Sequence, residues 1–169
     1  MAVLPNDGHE PRETASAFVK IRFKLQHDEE GWPPVGSEGL WGEPLGDDQY
    51  RVDNTPWFVL NLAADDIVVA HPDGNGVLWA GEKVVWSGRM VVRVIPWPHG
   101  PLMGDCRAVL DAFAPLGVSG EWIEQYGMVA LDIPVNAEID AVKRLLRAGQ
   151  EDGRWDYEEG CVTEAWIAL

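Results

Sequence analysis

The sequence is poor in basic residues. It has 13 Lys and Arg against 28 Asp and Glu, which gives a formal net charge of −15 and a pI near 4.4. Proteins bind nucleic acids and anionic membranes through Lys and Arg that displace counterions, so this balance argues against direct binding of either surface. A basic protein, a cationic ligand and simple solubility remain as explanations of the acidic surplus.

Cysteine is scarce, and long apolar runs are absent. Cys106 and Cys161 are too few for a disulfide framework and too far apart for a CxxC motif. No stretch approaches the about 18 consecutive apolar residues of a membrane-spanning helix. The N-terminus lacks the basic and apolar regions of a secretory signal, so we expect residues 1–17 to form a disordered leader. The sequence therefore predicts a cytoplasmic protein in which Cys106 is a buried thiol.

The usual motifs of cofactor and metal chemistry are also missing. The chain has no GxGxxG, GxxxxGK[ST] or GxSxG motif, and its four histidines are scattered, with no Cys/His cluster. We therefore expect no cofactor and no metal site. Whether the protein is an enzyme stays open at this point.

The first half of the chain does contain clear strand patterns. The segment FVKIRFKL, residues 18–25, alternates apolar and basic residues with the period of a half-buried strand. Two hairpins follow, one around Gly46-Asp47-Asp48 and one around the PDGNG turn. A small antiparallel barrel or rolled sheet would hide the strand edges, so we predict an all-β, barrel-like domain over residues 18–88.

After residue 88 the pattern changes to strands that alternate with helices. RMVVRVIPW is typical of a strand, residues 102–113 have helical spacing, and GEWIEQ and GMVALDIP form a hairpin. A second helix is expected after an N-cap at Asn136, and RWDYEEGCV is a last strand. This order predicts a ferredoxin-like βαββαβ domain over residues 89–169, and hence an α+β fold class. The closing VTEAWIAL is expected to add an edge strand or to dock across a partner.

Carboxylates and one histidine are the candidates for catalysis. Glu38, Glu43 and Asp53 lie beside tryptophans and prolines, and an apolar wall of that kind raises the pKa of a carboxyl group towards acid–base use. His71, at the end of a predicted strand, is a candidate base. The pairs Asp47-Asp48 and Asp65-Asp66 lie at predicted turns, where we expect them to be solvated.

Nine tryptophans are many for 169 residues. We expect Trp79, Trp86 and Trp122, inside alternating strands, to pack in the core or on a sheet face. Trp32 and Trp97 are flanked by prolines outside the predicted elements, where loops on a rigid scaffold often carry binding residues. The predicted binding surface consists of five residues: Trp32, Trp41, Glu43, Trp57 and Trp97.

Several segments together resemble a known family. VKIRFKL, DEEGWPPVGSEGLWGEPLGDDQYRVDNTPWFV, DDIVVA and GRWDYEEG are similar to the bacterial family catalogued as domain of unknown function 4265, common in soil actinobacteria. The resemblance extends from Val19 to Gly160. It implies a small cytoplasmic protein, and it supplies no catalytic residue, cofactor or partner.

Three classes of function remain. We predict a binding or regulatory protein that acts on a protein partner or a small-molecule ligand through its Trp and carboxylate surface. The alternatives are a cofactor-free acid–base enzyme of bacterial specialised metabolism (a cyclase, isomerase or hydrolase) and a structural subunit. A concave apolar pocket that holds a carboxylate would favour the enzyme, and a flat acidic face with Trp32 would favour a protein partner. The ligand and the oligomeric state stay open, a dimer included.

Overall fold

The structure is a computed structural model that describes residues 17–169, and it contains two β-sheets. Five strands close into a barrel in chain order: β1 (Val19–Lys24), β2 (Ser37–Gly46), β3 (Gln49–Val52), β4 (Ile67–Pro72) and β5 (Leu78–Val85). Four strands form a second sheet: β6 (Met90–Pro96), β7 (Ser119–Ile123), β8 (Met128–Ile133) and β9 (Trp155–Cys161). Three helices accompany it: α1 (Cys106–Phe113), α2 (Ile139–Glu151) and α3 (Glu164–Ile167). The predicted α+β class with a β-barrel is confirmed.

The barrel has an apolar interior because its strands alternate as their sequences predict. On β1, Ile21 and Phe23 are buried while Lys20 and Lys24 are exposed. Both predicted hairpins are present, β2 with β3 and β4 with β5. A parallel contact between β1 and β5, at Arg22 and Trp79, closes the barrel. Closure leaves this small sheet without a free edge.

The second sheet is antiparallel, with the strand order β7, β8, β6, β9. One face packs against α1 and α2 and forms the larger apolar core: Val92, Val94, Val109, Phe113, Leu131, Val142, Leu146 and Trp155. The Trp155 indole N–H donates to the Leu146 carbonyl at 3.1 Å. A Cβ at Gly149 would lie 2.0 Å from this indole, so only glycine fits at that position of α2.

The opposite face of the second sheet is turned towards the barrel. The connection between β3 and β4, residues 53–66, packs on it through a small apolar cluster of Ala63, Val91 and Cys161. The Asn61 N–H donates to the Gly160 carbonyl of β9 at 2.8 Å. This contact area is where barrel and sheet meet.

Two predictions about helices and the C-terminus are wrong. Helix α2 begins after Glu138, which makes no side-chain cap, so Asn136 is not its N-cap. The last residues form α3, neither an edge strand nor a segment left for a partner, because Trp166 is fully buried in the core. Its carbonyl accepts from the Lys143 Nζ at 2.7 Å and its indole N–H donates to Glu159 at 2.7 Å.

Of the three tryptophans expected in the core or on a sheet face, none lies in the core, and Trp79 packs on the outer face of the barrel sheet, where the Lys24 Nζ lies 5.6 Å from its ring. Trp86 and Trp122 are 58% and 43% exposed, and Trp79 is half-buried on the outer side of β5. Alternation along β5 turns Leu78 and Ala80 inward, which places Trp79 outside. The fully buried tryptophans are Trp155 and Trp166.

The expectation that Asp65 and Asp66 are both solvated is right for Asp65, which is exposed, and wrong for Asp66, which is buried. The Asp66 carboxylate accepts the N–H groups of Ala63 and Ser87, at 2.9 and 2.7 Å, and pairs with the Lys83 Nζ at 3.0 Å. It therefore ties the β3–β4 connection to the end of β5.

Both cysteines are buried and unpaired, as expected for Cys106. Burial raises the pKa of both thiols above the ordinary value. Within residues 17–169, no helix is both long and apolar enough to cross a membrane. The predicted leader lies, apart from Ala17, outside the described residues.

Candidate functional site

A cleft of about 530 Å³ opens where the barrel meets the second sheet. We call it the junction cleft and define it by six of its lining residues: Lys24, His27, Trp32, Phe58, Arg93 and Glu158. Ligand pockets are typically about 300–1,000 Å³ in volume. The junction cleft therefore has the size of a small-molecule site.

Three aromatic rings form one side of this region. Trp32, Phe58 and Tyr126 contact each other edge to face, with ring centroids 5.6 to 5.7 Å apart. Trp32 belongs to the β1–β2 connection, Phe58 to the β3–β4 connection and Tyr126 to the turn between β7 and β8. Edge-to-face pairs of this kind are a favoured aromatic geometry. The cluster links three separate segments and presents Trp32 and Phe58 to the cleft.

Asp28 holds the part of the β1–β2 connection that carries Trp32. The Asp28 carboxylate accepts the N–H groups of Glu30 and Trp32, at 2.9 and 2.8 Å. The Trp32 carbonyl accepts from the Asp28 N–H at 2.8 Å, which closes the loop. Asp28 thereby fixes the position of Trp32, which stays 39% exposed.

Glu38 fixes a second segment of the cleft wall, the one that carries Phe58. Its buried carboxylate accepts three consecutive backbone N–H groups, those of Trp57, Phe58 and Val59, at 2.6, 2.8 and 3.0 Å. A carboxylate that accepts several N–H groups makes charge-assisted hydrogen bonds. This predicted catalytic candidate therefore lies behind the cleft wall, where it positions Phe58.

Arg93 lies at the base of the cleft, in the middle of β6. Its side chain points to the barrel-facing side of the sheet, because Val92 and Val94 point to the helices. The guanidinium donates from Nε to Glu158 at 3.1 Å and from Nη1 to the Trp57 carbonyl at 2.9 Å. Arg93 thus connects the sheet to the same segment that Glu38 holds.

The charges that line the cleft are balanced in a strongly acidic chain. Two basic residues, Lys24 and Arg93, and two acidic residues, Asp28 and Glu158, line it together with His27. With a formal net charge of −15 for the whole chain, this balance makes the cleft one of the less negative regions. An anionic group meets less repulsion here than on most of the surface.

The other predicted binding residues lie outside the cleft. Trp41 and Glu43 project from the outer wall of the barrel, where Lys20 lies 4.5 Å above the Trp41 ring and Arg51 pairs with Glu43 at 3.4 Å. Trp57 is half-buried next to the cleft, which its backbone helps to shape. Trp97 is exposed in the turn after β6.

The other two catalytic candidates, Asp53 and His71, lie away from Glu38 and from the cleft. Asp53 is exposed at the end of β3, and its backbone N–H donates to the Trp41 carbonyl at 2.8 Å. His71 is exposed on β4, with its Nδ1 3.5 Å from Asp48. Neither lines the junction cleft. Among residues 17–169, no group of His, Cys, Asp and Glu side chains is arranged to hold a metal ion.

Sequence reasoning found Trp32 and missed Arg93, Phe58 and Tyr126. Arg93 had a usable signal, because it is the one charged residue in the apolar strand MVVRVIP. A strand buried on both faces tolerates a charge only where that charge has partners or a role. Phe58 and Tyr126 carry no comparable local signal, since long-range packing brings them to Trp32.

By fold and site, the chain is an α+β protein in which a closed barrel and a helix-covered antiparallel sheet enclose a cleft. The family model of the domain of unknown function DUF4265 matches residues 38–157, and the chain belongs to this family.

A crystal structure of a hypothetical protein from Neisseria gonorrhoeae has a similar fold, with a TM-score of 0.71 and 20% identity. The similarity covers 86% of this chain and 96% of that one. No curated protein is detectably similar in sequence.

Proposed function

We propose that this protein binds a small ligand in the junction cleft. The observation that carries the proposal is a concave site of about 530 Å³ with aromatic rings on one side and a buried arginine at its base. Small-molecule sites combine apolar walls with a few polar groups that orient the ligand. A regulatory role, in which the bound ligand controls contact with a partner protein, belongs to the same proposal.

The described geometry favours a small ligand over a flat protein contact. Trp32 faces a cleft and is held by Asp28 and by the rings of Phe58 and Tyr126. A preorganised aromatic wall lowers the entropy lost on binding. The geometry gives less support to the alternative of an acid–base enzyme. The Glu38 carboxylate accepts three backbone N–H groups and lies behind the wall of the cleft.

The finer assignment of the fold is part of this proposal. The order β6, α1, β7, β8, α2, β9 and the strand order β7, β8, β6, β9 support a ferredoxin-like second domain over residues 89–169. The barrel over residues 18–88 is then the first domain, and the cleft lies between them. Two buried, unpaired thiols support a cytoplasmic location.

Fragment binding tests the proposed site. We would titrate three fused-ring fragments, 2-naphthol, 2-naphthamide and 2-naphthoate, into the full chain and follow the backbone amide signals by NMR. We expect at least one fragment to bind saturably, with shifts confined to the cleft, and Trp32→Ala to weaken that binding about tenfold or more.

Trp41→Ala is the matched control, because Trp41 is similarly exposed but lies on the barrel wall. It should leave fragment binding unchanged. If no fragment binds at the cleft, or if Trp41→Ala and not Trp32→Ala removes binding, the proposed site is wrong.

A further inference from the structure

The Arg93 side chain is buried against Gly160 of the neighbouring strand β9. Its residue is only 4% exposed, and on the neighbouring strand a Cβ at Gly160 would lie 2.9 Å from Nη2 and 3.1 Å from Cζ. Only glycine leaves the guanidinium undisturbed here. A side chain at position 160 of β9 would therefore displace the guanidinium of Arg93 on β6.

The hydrogen bonds of Arg93 leave one amino group open. A guanidinium has five N–H donors. Nε donates to Glu158 and Nη1 to the Trp57 carbonyl, whereas Nη2 has no acceptor among residues 17–169. In that part of the chain, every fully buried side-chain nitrogen or oxygen has a partner, so Nη2 must reach solvent. Arg93 is also one of the residues that line the cleft.

Glu158 does not saturate the guanidinium. It accepts one hydrogen bond of 3.1 Å, and its side chain is 58% exposed. An exposed partner of this kind is screened by water and contributes little. A carboxylate accepts best from two parallel N–H groups of an arginine. The second N–H of Nη1 and the N–H groups of Nη2 remain for such a pair.

The lining of the cleft fits a carboxylate that carries an apolar body. Lys24 supplies a second positive charge at the cleft, while Trp32 and Phe58 supply aromatic surface. Building on the proposed ligand site, we infer that the junction cleft binds a small organic carboxylate, whose oxygens pair with Arg93 and whose ring system packs on Trp32 and Phe58.

A pair of probes with the same shape tests this inference. 2-Naphthoate and 2-naphthamide differ in charge at one group, and their affinities would be measured by isothermal titration calorimetry. We expect the wild-type protein to bind the carboxylate about tenfold more tightly than the amide. In Arg93→Gln this preference should disappear while the amide still binds.

Arg22→Gln is the matched control, since it removes the same charge from the outer side of β1. It should keep the preference for the carboxylate. Glu158→Gln removes the competing negative charge from an exposed position and should tighten binding of 2-naphthoate severalfold, with the amide unchanged.

The outcomes separate this inference from the proposed function. Equal binding of acid and amide at the cleft overturns the carboxylate and leaves the ligand site standing, whereas no binding of either probe overturns both. If Arg93→Gln fails to fold, Glu158→Gln decides the question. Unchanged or weaker binding of 2-naphthoate to that variant contradicts the inference.

Discussion

The two faces of the second sheet are made by the same strands and differ in chemistry. Towards the helices, Val92, Val94 and Leu131 join the larger apolar core. Towards the barrel, Arg93 and Glu158 form an ion pair at the base of a cleft. Strand alternation alone separates the two sets, because neighbouring residues of β6 point to opposite sides.

This difference assigns separate tasks to the two faces. Apolar packing on the helix face supplies stability, since burial of large apolar side chains is the main favourable term in folding. On the barrel-facing side, burial of the polar groups that hold the cleft costs part of that stability. Substitutions on the helix face should therefore lower the free energy of unfolding without altering ligand preference, and substitutions at the junction should alter both.

Trp155→Ala should have the largest effect on stability. The side chain is fully buried between sheet and helices, and its truncation leaves a large cavity. We expect the free energy of unfolding to fall by about 3–5 kcal/mol, measured by urea denaturation. The control Trp122→Ala, at an exposed position, should cost less than about 1 kcal/mol. Similar losses for the two variants would contradict the assignment of the core.

Asp66→Asn should have the next largest effect. The substitution leaves the Lys83 ammonium without its buried partner, because an amide cannot replace the carboxylate charge. We expect a loss of about 3 kcal/mol in the free energy of unfolding. Asp65→Asn, at the exposed neighbour, is the matched control. A loss as large for Asp65→Asn would show that the turn, and not the buried pair, matters.

Glu38→Ala should destabilise the protein and also damage the cleft. Three backbone N–H groups lose their acceptor, so we expect a loss of about 2 kcal/mol in the free energy of unfolding. Phe58 also loses its support, so fragment affinity should fall by NMR titration. Glu43→Ala, on the same strand, should change neither quantity. Intact fragment affinity in folded Glu38→Ala would contradict a positioning role.

The buried thiol of Cys161 should make the smallest contribution, visible only at alkaline pH. Burial raises its pKa in the folded protein, so its stabilisation is fully present below about pH 8.5 and is lost as the pH rises towards the raised value. Between about pH 8 and 9.5 the loss is at most about 1.3 kcal/mol. Urea denaturation of Cys161→Ala should show a shallower alkaline decline. Identical slopes would contradict the effect.

Much of the fold follows from local sequence. The alternation of FVKIRFKL, the Asp-Gly and Asn-Gly turns and the helical spacing after residue 102 all act over a few residues, and the structure has elements at each of these places. Asp105, however, begins α1 by accepting the N–H groups of Arg107 and Ala108, so the helix starts later than the spacing indicates. Local patterns locate elements better than they locate helix ends.

The buried polar groups, part of the core and the candidate site are less predictable, because contacts between residues distant in sequence create them. Asp66 has the local sequence of a turn. It is buried because Lys83 on β5 and the Ser87 N–H just after β5 donate to its carboxylate. Trp155 is buried because Gly149 leaves room on another element. Trp32 was recognisable from its prolines, but nothing near it in sequence predicts its contact with Tyr126.

A crystal structure of the full chain with 2-naphthoate is the most direct test of the account. We expect the carboxylate within hydrogen-bond distance of Arg93 Nη2 and the naphthalene rings against Trp32 and Phe58. A probe bound elsewhere, for instance on Trp41 at the barrel wall, or seated in the cleft with its carboxylate turned away from Arg93, would contradict it.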